Sequence, residues 1–290
     1  MEDVTRKLRA FFRKRLRAPV PARSLIVPRI GLALGGGFAR GVAHVGVLQA
    51  FQREGIPLHC IAGVSAGAIV AAAFASGTSI EDIGRIGCDM RFTDVARWSL
   101  CRWGLVGSER MSKFLQRLLK TFQFEEMEIP LGVVATDLSS GEPVLFRDTG
   151  DVCLPIRASC SYPGLFRPVS HGGHLLVDGA MSMEVPALLA RDMGATHVIS
   201  VCLPMPGPSD VPRHMMHVIN RCFQILQKRT EESWRAVSDA VIMPQVSDTH
   251  WDGFDKGQHL IDQGEKAAMA IMPEVKRWLA GHPLPLVTAL

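Results

Sequence analysis

Gly63-Val64-Ser65-Ala66-Gly67 follows the short apolar run His59-Cys60-Ile61-Ala62 and opens onto Ala68-Ile69-Val70-Ala71-Ala72-Ala73-Phe74. A strand, a tight turn bearing a serine, and a helix, in that order, form a nucleophile elbow, in which flanking glycines let chain and substrate approach the hydroxyl closely. The helix behind the serine aims its positive N-terminal end at any oxyanion formed there. Taken alone the pentapeptide reads sooner as a small-residue packing seam, because glycine, serine and alanine are common. The strand-turn-helix setting favours the elbow, and with it a serine acyl hydrolase.

Upstream, Ile30-Gly31-Leu32-Ala33-Leu34 reads as a strand running into Gly35-Gly36-Gly37-Phe38-Ala39-Arg40-Gly41 and then a helix over Val42 to Glu54. A glycine loop at a helix start offers bare amides to an anion, either a phosphate or a developing oxyanion. A dinucleotide fingerprint would need Gly-x-Gly-x-x-Gly and an acid closing the next strand. Here the spacing is Gly35-x-Gly37-x-x-x-Gly41, and the next strand delivers Ser65. No Gly-Lys-Ser/Thr follows, so a P-loop is excluded. Far downstream, Leu175-Leu176-Val177-Asp178-Gly179-Ala180 ends an apolar strand on an aspartate at a sharp turn. Asp-Gly by itself is an ordinary turn signal, and only its company gives it interest.

With these three elements in order, the chain resembles the patatin-like phospholipase family, in a bacterial branch related to the esterase domain of neuropathy target esterase. The resemblance also rests on Arg40-Gly41-Val42-Ala43-His44-Val45-Gly46-Val47-Leu48, Thr136-Asp137-Leu138, Gly141 to Phe146, Arg157-Ala158-Ser159 and Pro163 to Val169. It runs from about Ile30 to about Leu203, and implies a three-layer α/β/α fold with a mainly parallel central sheet. It also implies a Ser65-Asp178 catalytic dyad, an oxyanion hole from Gly35, Gly36 and Gly37, and no cofactor or metal. Ser65 would attack an ester carbonyl, Asp178 would take its proton, and phospholipid or lysophospholipid would be the substrate. Gly63 and Gly67 form the elbow. Arg40 and Gly41 are expected to support the loop, or Arg40 to meet a lipid phosphate. Two residues depart from the family pattern: Phe38 replaces a fourth glycine, and Met183 replaces an asparagine after the aspartate. The alternative function is a catalytically weak lipid-binding or regulatory protein of the same fold.

A carboxylate is a poor base toward a serine hydroxyl unless its pKa is raised or the oxyanion hole carries much of the work, and both are expected here. The nearest imidazole, His44, reads as a packing histidine on the helix after the glycine loop. His171 and His174 flank two glycines in a predicted hairpin and receive no role. The spaced pairs His171/His174 and His214/His217 lack a third ligand, so no metal is expected.

A chain of 290 residues with 47% hydrophobic content can bury one large core, predicted over residues 30–290. Strands are expected at 30–34, 59–62, 131–135, 144–146, 174–177, 197–201 and 240–243, and helices from near Glu184 to Met193, from Arg213 to Ser238 and from Lys256 to Leu279. Residues 1–29 differ: Arg6, Lys7, Arg9, Arg13, Lys14, Arg15 and Arg17 surround Val4, Leu8, Phe11, Phe12 and Leu16 at helical spacing. Such a helix suits an anionic bilayer surface, or equally docking on the domain or a basic arm. The net charge of +4 agrees with the first, and no nucleic-acid module is present. Seven cysteines without a pairing pattern and no signal peptide point to a cytoplasmic protein with reduced thiols, peripheral at most on the inner membrane face. Between Arg91 and Gly107, Phe92, Trp98, Leu100 and Trp103 alternate with arginines, reading as a lid or as core or homodimer packing, the packing favoured.

Overall fold

The computed structural model describes residues 27–101, 104–205, 211–212 and 215–280. The basic segment 1–17, His214, and the side chains of 98–103, which include Trp98, Leu100 and Trp103, lie outside that description. Where the described chain begins, Arg29 is already tied to the sheet, its N–H donating to Thr196 Oγ1 at 2.8 Å.

An eight-stranded sheet organises the molecule. Its parallel arm runs β10 (Ala240–Ile242), β9 (His197–Val201), β1 (Ile30–Leu34), β2 (Cys60–Val64) and β5 (Leu131–Asp137). Its antiparallel arm adds β6 (Pro143–Arg147) and the hairpin β7 (Val169–His171) and β8 (His174–Asp178). The expected architecture, helices around a mostly parallel sheet, is the observed one.

Side-chain alternation along these strands divides the core in two, because successive residues of a strand point to opposite faces. Ile30, Leu32 and Leu34 of β1, with Ile61, Ile199 and Val201, join one core. That core also receives residues of α1 (Ala43–Arg53), α2 (Ala66–Ala75), α3 (Ile80–Asp89) and α9 (Gly257–Leu279). Ala33, Cys60, Ala62 and Val198 face the other core, closed by α7 (Ala187–Asp192) and by Trp234 of α8 (Met215–Arg235). Central parallel strands are buried on both faces, so their sequences read as near-continuous apolar runs. Helices α1 and α9 cross at reciprocal glycines. A Cβ on Gly46 would lie 1.9 Å from Ile261 O, and one on Gly264 would lie 1.9 Å from Ala43 O.

The predicted strands all form, within two residues at each end. Three further strands form: β7, the first strand of the predicted hairpin at His171 and His174, and, without a strong sequence signal, a hairpin of β3 (Arg97–Cys101) and β4 (Gly104–Gly107) beside the short helix α4 (Phe92–Val95). In the 91–107 stretch, Val106 is fully buried and bridges to Phe166, and Phe92 packs on Phe166 and Trp251. The helix expected from Glu184 starts at Ala187 instead. Glu184 turns its buried carboxylate to Trp234, whose indole N–H donates to it at 3.2 Å. The remaining labelled elements are α5 (Glu109–Leu118) and α6 (Cys153–Ser159). Among the described residues, no helix is long and apolar enough to cross a membrane.

Candidate active site

Strand register brings the two predicted catalytic residues together. Along β5, residues 131–134 pair with β2 and residues 135–137 with β8, while β6 pairs with 132–136 and so must occupy the opposite edge. Strands β2 and β8 therefore meet end to end on one edge. Val64 lies opposite Val134, and Asp178 lies opposite the next residue, Ala135. Ser65 follows Val64 directly, and its Oγ donates to Asp178 Oδ2 at 2.8 Å across 113 residues of sequence.

The elbow is as sharp as its sequence predicts. Ser65 sits at φ 52° and ψ −125°, a conformation that a residue with a Cβ rarely adopts. The flanking glycines are required by close approach. A Cβ on Gly63 would fall 2.5 Å from Ala68 Cα, and one on Gly67 would fall 2.3 Å from Leu34 O. The Ser65 N–H donates to Ser159 Oγ at 2.8 Å, a contact with no counterpart in the sequence reading.

Asp178 is 2% exposed. Burial pushes its carboxyl up to about 7, against the lowering effect of hydrogen bonds from Ala180 N–H and Ser65. The Ala180 N–H donates to Oδ1 at 2.9 Å, leaving Oδ2 for the serine. The backbone is held as well, since Thr136 Oγ1 donates to Asp178 O at 2.9 Å and Asp178 N–H donates to Ser161 O at 3.0 Å. Met183 buries its side chain in the second core, and its N–H donates to Gly179 O at 2.9 Å.

The glycine loop lies over the serine. Gly35 N–H donates to Val201 O and so prolongs the sheet, which corrects the expectation that all three glycines offer amides. The N–H groups of Gly36 and Gly37 make no backbone hydrogen bond to another described residue, and an ideal Cβ on Gly36 would be 3.4 Å from Ser65 Cβ. Two buried side chains, one neutral and one charged, hold this loop from behind. His44 Nε2–H donates to Gly35 O at 2.8 Å, which fixes the plane of the peptide whose N–H belongs to Gly36. Burial lowers the His44 pKa to about 4, the bond to Gly35 O opposing that shift, so the ring is neutral near pH 7. Arg40 is buried rather than solvated. It donates from Nε to Gly37 O at 3.3 Å and from Nη1 to Pro204 O at 2.8 Å. Burial brings its pKa down to about 10, so it keeps its charge at neutral pH.

Gly41 lies against the elbow, where a Cβ would meet Ala66 Cβ at 2.5 Å. His171 and His174 sit at the β7–β8 turn, His174 against Asp137 at 3.3 Å and His171 against the Phe146 ring. An aromatic cover that the sequence did not signal closes the cleft. Phe38, at φ 51°, packs edge-on to Tyr162 (4.8 Å between centroids) and Trp251 (5.6 Å), and Tyr162 stacks on Phe223 of α8 at 4.2 Å. Met205 and Gln227 complete the lining, leaving a cavity of about 30 Å³ beside Ser65. Cys160 also sits against Ser65. Burial first, and then the Asp178 charge, push its thiol well above the ordinary range, so it stays protonated.

A serine on a strained strand-to-helix elbow, hydrogen-bonded to a buried aspartate beside a bare glycine loop, defines an α/β protein of the nucleophile-elbow kind. The chain belongs to the patatin-like phospholipase family, whose model matches residues 32–191. It is 33% identical over 192 residues to an uncharacterized NTE family protein of Mycobacterium tuberculosis, covering 64% of this chain and 53% of that protein. It is 29% identical over 210 residues to the neuropathy target esterase of Drosophila melanogaster, covering 67% of this chain and 14% of the fly protein. The chain thus spans about half the mycobacterial relative and a small part of the fly one. Its fold is similar to that of VipD from Legionella pneumophila, with a TM-score of 0.59 at 14% identity, over 86% of this chain and 67% of VipD.

Proposed function

We propose that the protein is a serine acyl hydrolase that cleaves carboxylic esters of lipids, of the phospholipase A or lysophospholipase type, through an acyl-enzyme. The observation that carries this reading is the 2.8 Å bond from Ser65 Oγ to Asp178 Oδ2 on a strained elbow next to Gly36 and Gly37. Relatives named as esterases support the ester chemistry, among them the lysophospholipase of Cryptococcus neoformans, 33% identical over 192 residues but covered for only 11% of its length.

Asp178 takes the Ser65 proton as Oγ adds to the carbonyl carbon, and the amides of Gly36 and Gly37 receive the oxyanion. The tetrahedral adduct collapses, and the leaving alcohol carries off the proton held by Asp178. Asp178 then deprotonates a water, which attacks the acyl-serine and releases the acid and the free hydroxyl. A base titrating near 7 is matched to this exchange at neutral pH, where an ordinary aspartate would be too weak to draw the proton. His44 and Arg40 act as positioning residues for the amide loop.

A fluorophosphonate probe tests the assignment. The parent should label and hydrolyse short acyl esters and lysophospholipid, and Ser65→Ala should do neither while melting at the same temperature. Labelling that survives Ser65→Ala would end the reading. The segment 1–17 is proposed as a peripheral anchor to anionic lipid, and deleting residues 1–24 should then reduce cosedimentation with phosphatidylglycerol vesicles.

A further inference from the structure

The cavity beside Ser65, about 30 Å³, is lined by polar side chains, Arg40, Ser65, Tyr162, Asp178 and Gln227, as well as by apolar ones. A second cavity begins on the other side of Phe38, between α1, α2, α3 and α5, with a volume of about 50 Å³ and no polar side chain in its lining. Its near wall contains Phe38, Gly41 and Ala66, the residue that follows the nucleophile. Its far wall contains Ile86, Met90, Phe114 and Leu118, and the same four residues line a surface vestibule of about 350 Å³ that also includes Arg85, Asp89, Asp94 and Arg117.

Resting on the reading of Ser65 as nucleophile, we infer that this second cavity is the acyl-chain site, that Phe38 is the gate between it and the catalytic cleft, and that its far end opens to solvent. The occupant is the hydrocarbon tail of the ester under attack. Phe38 lines both this cavity and the one beside Ser65, and the apolar lining suits a tail and excludes a headgroup, since an unpaired polar group in such a pocket is strongly disfavoured. Phe38 is suited to gate because its backbone is held at φ 51°, a conformation disfavoured for an aromatic residue, and because its ring is retained by edge contacts with Tyr162 and Trp251. The open far end means that chain length is not capped where the 50 Å³ space ends. Longer tails would run into the vestibule, whose charged rim meets water rather than the chain terminus.

Gly87 of α3 gives a clean way to plug the cavity. It lines the space, its φ is not in the left-handed region, and a Cβ there would meet only the Val42 methyls at 3.5 Å and 3.6 Å, ordinary contact distances. The experiment measures kcat/KM for p-nitrophenyl esters from acetate to palmitate, with an ethyl fluorophosphonate titrating the nucleophile. In the parent, kcat/KM should rise with chain length up to octanoate or decanoate and not fall sharply beyond. Gly87→Leu should lower the decanoate-to-acetate ratio by about tenfold or more, Gly87→Ala should lower it less, and Phe38→Ala should raise it. A ratio unmoved by Gly87→Leu in a protein that still labels overturns the acyl-chain site. Absence of labelling and hydrolysis in the parent instead overturns the serine hydrolase reading. A measurement independent of any variant compares the parent labelled with ethyl and with decyl fluorophosphonate. The decyl adduct should melt several degrees higher because its tail fills the cavity, and equal melting temperatures would count against the site.

Discussion

The parallel and antiparallel arms of the sheet each deliver one member of the proposed dyad, and they hold it by different means. In the parallel arm, Ser65 is positioned sterically: Gly63 and Gly67 have no room for a Cβ, and the serine takes the strained conformation that results. In the antiparallel arm the glycine after Asp178 is also without room, a Cβ on Gly179 falling 2.2 Å from Val134 O, but the carboxylate and backbone of Asp178 are held mainly by hydrogen bonds, from Thr136 Oγ1 and Ala180 N–H and by its own N–H to Ser161 O. Steric placement leaves a trace in local sequence as obligatory glycines. Hydrogen-bonded placement depends on residues that come together only in the fold.

The sharpest way to separate the arms is Asp178→Asn, which should lower kcat/KM by about 10³ to 10⁴-fold while leaving the elbow intact. Its stability should show the opposite trend. The folded carboxyl titrates near 7 rather than 3.8, so the stabilising protonated form is fully present below about pH 3.8 and is lost as pH rises through about 7. Thermal melts should therefore show Asp178→Asn more stable than the parent at pH 8 and little different at pH 4. Retained activity in this variant would redirect the base role to another group.

Gly67→Ala attacks the steric arm. Its Cβ would sit 2.3 Å from Leu34 O and 2.6 Å from Gly35 O, both backbone atoms, and should cost about 3 kcal/mol by urea denaturation. The parent's own pH profile comes next in size. Because the base must be ionised, kcat/KM should fall on the acid side with an apparent pKa near 7, about a hundredfold down at pH 5. An acid limb centred near 4 would show that burial does not raise the Asp178 carboxyl toward 7 in the working enzyme.

His44 links the arms through the glycine loop. His44→Ala should reduce kcat by about tenfold with little change in KM, and His44→Gln, which can still donate to Gly35 O, should recover part of that loss. A purely structural histidine would give variants that lose stability without this kcat pattern. The smallest effect belongs to Thr136→Val, which removes the hydroxyl bond to Asp178 O and should cost about 1 kcal/mol in a chemical melt.

Much of the site was legible in the chain because its devices are local. Glycines at 63 and 67 announce a turn too tight for side chains, consecutive glycines at 35 to 37 announce bare amides, and an aspartate closing an apolar run announces a strand end. That Gly35 gives its amide to the sheet was not legible, because its partner Val201 is on a strand that arrives over 160 residues later. The role of His44 was hidden for a related reason. A histidine on a helix has many apolar faces to pack against, and only the loop folded back over it turns its ring into a donor for Gly35 O. Ser159 and Phe38 stand in motifs the sequence shows, but their contacts with the Ser65 N–H and with Tyr162 join separate segments and could not be read from either motif.

By itself, the sequence determined the elements: alternating apolar strands and helices, an elbow built on glycine, and the residues capable of nucleophilic and basic chemistry. Only the tertiary structure decided that β2 and β8 share one edge of β5, so that Ser65 and Asp178 touch, and that the aspartate is buried enough to titrate near 7. The physical reason is range. Backbone sterics and propensity act over a few residues, whereas strand register, desolvation and cavity shape are set by contacts between segments far apart in the chain.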